Sequence, residues 1–240
     1  LTLTSTAAGS GQGFAITPEG ELKPAAHPQG TTVDVRDLFY NTPARRKFLR
    51  TEKTEIGHVE QLLRRIALAH PEIAFRLRHN GRVLFDLAAV GPSTETATRL
   101  RALLGQGFVD QTLWIEVEAV GLRLSGWVAQ PAFARSQGDR QFFYVNGRLV
   151  RDKLVTHAVR QAYADVLHHG RHPAYVLFLE LPAREVDVNV HPAKQEVRFR
   201  EGRQVHDFLF RSLHRRLAEG LTQSADGGPT GQQPPAPLEP

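Results

Sequence analysis

Two asparagine–glycine pairs place the strongest limits on how this chain can fold. Asn80-Gly81 lies between Phe75 and Leu77 on one side and Val83 and Phe85 on the other, and Asn146-Gly147 lies inside the run 141–150. A two-residue type I′ turn needs positive φ at both central positions, which asparagine and glycine adopt at least cost. Each pair therefore predicts an antiparallel hairpin. Elsewhere apolar residues recur at helical spacing. Ile56, Val59, Leu62, Leu63 and Ile66 mark a helix stopped by Pro71, and Leu154, Val155, Ala158, Val159, Ala162 and Val166 mark another, with Asp152 as its cap. Hairpins interleaved with amphipathic helices predict an α+β fold.

Shorter strands are expected near 2–6, 14–17 and 31–39, followed by a turn at Asn41-Thr42-Pro43. Gly91-Pro92-Ser93-Thr94 reads as a linker, so we expect domains over 1–92 and 93–219. The second should hold a short helix over 96–104 and paired strands at Leu113, Ile115, Val117 and at Leu122, Leu124, Trp127. The near-continuous apolar run 175–181 predicts a buried strand. Next comes DVNVHPAKQEVRF (187–199). Val186, Val188 and Val190 alternate as a strand until His191-Pro192 breaks it, since proline donates no backbone hydrogen bond, and Lys194 follows the break. A helix is expected over about 204–218. From Leu221 onward Pro, Gly and Gln dominate without periodicity, which predicts a disordered linker over 220–240 and a further domain past it.

The 240 residues contain no cysteine and no methionine, not even at position 1. Disulfides and thiolate metal sites are excluded, a reducing cytoplasm fits, and the chain reads as a segment of a longer protein. LTLTST lacks the basic start and long apolar core of a signal peptide. No run approaches the ~18 apolar residues of a membrane span. The net charge of +5 favours polyanionic partners such as nucleic acid or nucleotide phosphate.

Four groups of residues could carry chemistry. Gly30 allows close backbone approach, and Thr31 and Thr32 offer hydroxyls, so this segment is either a tight turn or a phosphate-touching loop before a strand. Arg45, Arg46, Lys47 and Arg50 form a dense basic run, readable as a solvated helix start. Arg148, Arg151, Lys153 and Arg160, with Arg64 and Arg65, are either exposed surface cations or the wall of a groove with salt-sensitive, sequence-independent DNA affinity. Lys194 is either a loop lysine or a point charge for a phosphate, with Asn189 nearby as a two-way hydrogen bonder. His157, His168, His169 and His172 have no carboxylate at ligand-like spacing, so no metal site is expected. No Ser/His/Asp triad can be argued.

GTTVDVRDLFYNTPARRKFLR (30–50), YVNGRLVRDKL (144–154) and VDVNVHPAKQEVRF (186–199) occur in series, and together they resemble the MutL family of DNA mismatch repair proteins. The resemblance runs from about Leu1 to Leu217 and looks closest to the proteobacterial type. It implies the carboxyl-terminal part of an α/β ATPase sandwich of the gyrase, heat-shock chaperone, histidine kinase and MutL superfamily, followed by a ribosomal-protein-like transducer domain. It also implies that Mg-ATP closes lids and dimerises the amino-terminal regions into a clamp. That clamp links mismatch-bound MutS to a downstream nuclease and helicase in the cytoplasm, at the nucleoid. Gly30, Thr31 and Thr32 fall on the last of four ATPase motifs, Lys194 on the lysine that reaches the γ-phosphate, and Asn189 on its neighbour by the nucleotide lid. Arg148, Arg151 and Lys153 fall on a basic surface for DNA. The three earlier motifs, with the glutamate general base and the magnesium-ligating asparagine, are absent. Without the base this segment is not expected to hydrolyse ATP by itself. The alternative reading is a nucleic-acid-binding module with no nucleotide site.

Overall fold

The computed structural model describes residues 1–91, 96–167, 170–188 and 196–225. Two compact units are present, Leu1–Ile56 and Gly57–Pro240. The boundary between these compact units falls within the first turns of a helix that begins at Glu52. Ala67 and Leu68 of that helix, and Leu87 of the hairpin after it, are buried in the same cluster as Leu100, Leu103 and Phe108.

The first unit carries an antiparallel sheet of β1 (Thr2–Thr6), β2 (Gly13–Ile16), β3 (Leu22–Ala25) and β4 (Gly30–Asp34), in the order β3-β2-β1-β4. Pro24 sits on β3, an edge strand, where a missing donor is tolerated. A one-turn helix α1 (Pro43–Arg46) starts at the proline predicted as a turn. The expected strand over 31–39 is shorter than the alternation suggested and ends at Asp34. Past it, Asp37 and Phe39 adopt φ of 50° and 64°, which no strand accommodates.

The second unit begins within α2 (Glu52–Ala69) and continues through the hairpin β5 (Phe75–His79) and β6 (Arg82–Leu87) to α3 (Thr96–Leu104) and α4 (Gln106–Asp110). Its centre is a mixed sheet of β7 (Thr112–Ala119), β8 (Leu122–Ala129), β9 (Gln141–Val145), β10 (Arg148–Val150) and β11 (Tyr175–Glu180). The order is β10-β9-β11-β8-β7. Only β9 and β11 are parallel, joined through α5 (Lys153–Ala162). The run 175–181 is apolar because β11 is buried on both faces. Tyr175, Leu177 and Leu179 pack on one side, and Val176 and Phe178 on the other. The first face is covered by α5 and α6 (Gly202–Ala225), and the second by α2, α3 and α4. Asp152 caps α5 as expected, its carboxylate accepting from the amides of Leu154 and Val155 at 2.8 and 3.3 Å. Among the described residues around the stretch 187–199, β12 (Val186–Asp187) and β13 (Arg198–Phe199) pair antiparallel. Asn189, His191, Pro192 and Lys194 lie outside the described residues, as do His168, His169 and residues 226–240. No helix among the described residues is long and apolar enough to cross a membrane.

Three hairpins of the second unit share one turn geometry. Asn80-Gly81 and Asn146-Gly147 have φ of 49° and 78°, and 47° and 78°. Val120-Gly121, between β7 and β8, has 51° and 76°. Valine is the outlier, because its branched Cβ clashes with the backbone in this region. It is also 66% exposed, so packing does not offset the strain. Val120→Asn is therefore expected to stabilise the chain by about 1 kcal/mol. A urea midpoint that stays or falls would contradict this.

Candidate nucleic-acid interface

The predicted cations of the second unit do meet. Arg64 and Arg65 on α2, Arg151 between β10 and α5, and Lys153 and Arg160 on α5 line one groove of about 880 Å³. Arg140, ahead of β9, joins them. Arg148 is exposed on β10 but does not line the groove. Its strand neighbours Leu149 and Val150 do line it.

Each wall is held by local bonds. Tyr144 on β9 donates its phenolic hydrogen to the Arg65 carbonyl at 2.8 Å, which ties α2 to the sheet. Arg64 donates to Glu60 at 2.6 Å and to the Leu103 carbonyl at 2.5 Å, so part of its charge is compensated. Arg140 donates to the Leu104 carbonyl at 2.5 Å and lies over the Phe133 ring at 5.8 Å. Tyr163, which follows α5, donates to the Ala129 carbonyl at 2.6 Å and anchors that helix to β8.

The balance of charge is one-sided. The carboxylates at the rim are already engaged, with Asp152 capping α5 and Asp139 accepting from Arg135 at 2.8 and 3.1 Å. Hydrogen bonding from Arg135 holds Asp139 below the usual carboxylate range. Among the described residues Arg65, Arg140, Arg151, Lys153 and Arg160 form no ion pair. Burial lowers the pKa of Arg65, and the Arg151 charge lowers it further. Burial likewise lowers Arg140, helped by the charges of Arg135 and Arg64. Both guanidiniums stay protonated at neutral pH, so these shifts register electrostatic tension that an incoming anion would relieve.

In the first unit, Gly30, Thr31 and Thr32 lie within β4 rather than in a loop before it. They pair with Thr6, Ser5 and Thr4 of β1. Gly30 has a φ of 129°, and a Cβ added there would meet nothing within 4 Å, so the backbone is open to close approach. The Thr31 hydroxyl lies 2.8 Å from Ser5 Oγ. The His27 ring bonds the Pro28 carbonyl through Nδ1 at 2.6 Å, so Nε2 accepts from the Thr32 hydroxyl at 2.7 Å. Arg45 and Arg46 lie on α1, and Lys47 and Arg50 follow it, all exposed.

Sequence spacing missed Arg140, which belongs to no periodic element. It also missed a contact between helices, where His157 Nδ1 on α5 lies 2.9 Å from His206 Nε2 on α6. His172 instead pairs its backbone with Arg135. Among the described residues no three histidine, aspartate or glutamate side chains form a metal site.

Comparison with known proteins bears on the family and the fold. Residues 100–218 match the family described as DNA mismatch repair protein, C-terminal domain. The DNA mismatch repair protein MutL of Azotobacter vinelandii is 57% identical over 242 residues, covering 99% of this chain and 38% of that protein. The chain thus spans about two fifths of the length of the curated relatives it matches. The crystal structure of the N-terminal domain of a DNA repair protein superposes with a TM-score of 0.75 over 92% of this chain and 72% of that one. At 22% identity this likeness bears on the fold alone. The ATPase domain of Aquifex aeolicus MutL complexed with ADP gives a TM-score of 0.59 at 28% identity, covering 75% of this chain and 67% of that one. The α+β architecture is therefore that of the MutL ATPase domain structures, and the chain belongs to the MutL family of DNA mismatch repair proteins.

Proposed function

We propose that this chain is the DNA-contacting, nucleotide-responsive portion of an ATP-gated mismatch repair matchmaker. The observation that carries the proposal is the groove, where five cations without ion-pair partners among the described residues line one concave surface. Such a surface binds phosphates of any sequence and releases counterions as it does so. Phosphate contact positions a duplex without reading it, which suits a protein that acts wherever a mismatch has been found. Reversing the groove charges, with duplex affinity and its salt dependence as readouts, tests this half of the proposal.

The nucleotide half rests on the family and on the Aquifex relative solved with ADP. Gly30 supplies open backbone, and Thr31 and Thr32 supply hydroxyls suited to a phosphate oxygen. These three residues carry no carboxylate for magnesium, so any metal ligands come from elsewhere. ATP bound at such a site would supply the energy difference between open and closed clamp states. Lys194 and Asn189 are proposed as further nucleotide contacts, within residues 93–219 acting as the transducer. Within the full-length protein Lys194→Ala is expected to weaken ATP-dependent dimerisation while the fold persists. Unaltered dimerisation would remove Lys194 from this role. MutS and a downstream nuclease and helicase are the proposed partners, and a homodimer the proposed assembly.

A further inference from the structure

A row of three side chains runs into the groove from behind α5. His157, exposed on α5, lines the groove. Its Nδ1 lies 2.9 Å from His206 Nε2 on α6, with ring centroids 5.1 Å apart. His206 is half-buried, and its Nδ1 lies 3.3 Å from Asp207 Oδ1. A carboxylate only accepts, so His206 Nδ1 carries a hydrogen. In the neutral pair His206 Nε2 is then the acceptor, His157 Nδ1–H donates to it, and His157 Nε2 holds a bare lone pair. A bare lone pair repels a phosphate oxygen. One added proton reverses this. The pair then carries a hydrogen at His206 Nδ1, one shared between the rings, and one at His157 Nε2, which becomes a charged donor.

We propose that the His157–His206–Asp207 row is a proton-linked phosphate contact, taking up one proton from solvent when a nucleic-acid phosphate enters the groove. This rests on the reading of the groove as the DNA surface. The charges on the elements that meet the pair set the direction. Lys153 and Arg160 flank His157 on α5, with Arg151 just before that helix. Arg64 and Arg65 line the groove from α2, and Arg203 precedes His206 on α6. Against these stand, among the described residues, Asp207 beside His206 and, in the groove, Asp152 and Asp139, which are already engaged by the α5 amides and by Arg135. A phosphate neutralises the cations, so protonation and binding reinforce one another. A second proton would face the first directly across 2.9 Å, which limits the uptake to one.

The test is binding of a fluorescein-labelled random-sequence duplex to the 240-residue chain at about pH 6 and about pH 8, at one salt concentration. Affinity is expected to be roughly five- to tenfold tighter at the lower pH. His157→Gln and His206→Gln should each reduce that ratio by several fold. Lys153→Glu should weaken binding at both pH values and leave the ratio in place. If Lys153→Glu weakens binding while the two glutamine variants keep the full ratio, the proton linkage is refuted and the DNA surface stands. If Lys153→Glu changes nothing, the DNA surface itself fails. A measurement without variants guards against misfolding. Calorimetry of duplex binding in two buffers of different ionisation enthalpy should show uptake of about one proton near neutral pH, and none would overturn the proposal.

Discussion

Arg151→Glu combined with Lys153→Glu is expected to weaken duplex affinity roughly a hundredfold near 0.1 M salt. Each lost phosphate contact forgoes the release of about one counterion, and a carboxylate in its place repels the backbone. The plot of log affinity against log salt should therefore flatten by about two. A hundredfold loss could also come from unfolding, but the charges separate the two causes. Arg151 raises the cost of keeping the half-buried Arg65 charged, so removing it relieves tension in the free protein. Lys153 and Arg151 are exposed, and neither forms an ion pair among the described residues. The double variant should thus unfold at the same urea concentration as its parent, or slightly higher. Intact affinity with intact stability would remove the groove from DNA contact.

Gly126→Ala should cost at least about 4 kcal/mol, and this is the largest single-site stability loss we expect. Gly126 lies in the middle of β8 with a φ of 133°, a region that side chains avoid. It stands opposite Leu177 on β11. A Cβ there would run into the Val176 carbonyl oxygen and come within 3.0 Å of the Leu177 Cα. Neither is the end of a flexible side chain. β11 is the middle strand, held by β8 on one edge and β9 on the other, so it cannot retreat without breaking a ladder. The control is Gly107→Ala on α4, where the new methyl meets only the Phe133 ring at 3.7 Å. Helix propensity favours that change by up to about 1 kcal/mol. Circular dichroism with urea titration reads both, and a Gly126→Ala chain as stable as the parent would mean that β8 and β11 are not paired in this register.

The legible part of the sequence was local. Asn80-Gly81 and Asn146-Gly147 set their turns because positive φ is a property of two residues and their immediate backbone. Asp152 was readable as a cap for the same reason, since its bonds reach only two and three residues ahead. Val120-Gly121 has the same geometry with no asparagine to announce it. Gly126 looked like any glycine in a strand until the neighbouring strand was known. The compact units themselves divide inside a helix, at a place that no loop composition marks. Ala67 and Leu87 share a core with Phe108 although the linker separates them in sequence.

By itself, then, the sequence determined which elements form and which family motifs they carry, because hydrophobic period, turn chemistry and capping act over a few residues. Only the tertiary structure decided that Arg64, Arg65, Arg140, Arg151, Lys153 and Arg160 face one groove while Arg148 does not. It alone brought His157 to His206, 49 residues apart. These placements depend on how α2, α5 and α6 pack against the two faces of the mixed sheet. Coulomb and hydrogen-bond energies follow distances through space, and those are set by packing between elements rather than by spacing along the chain.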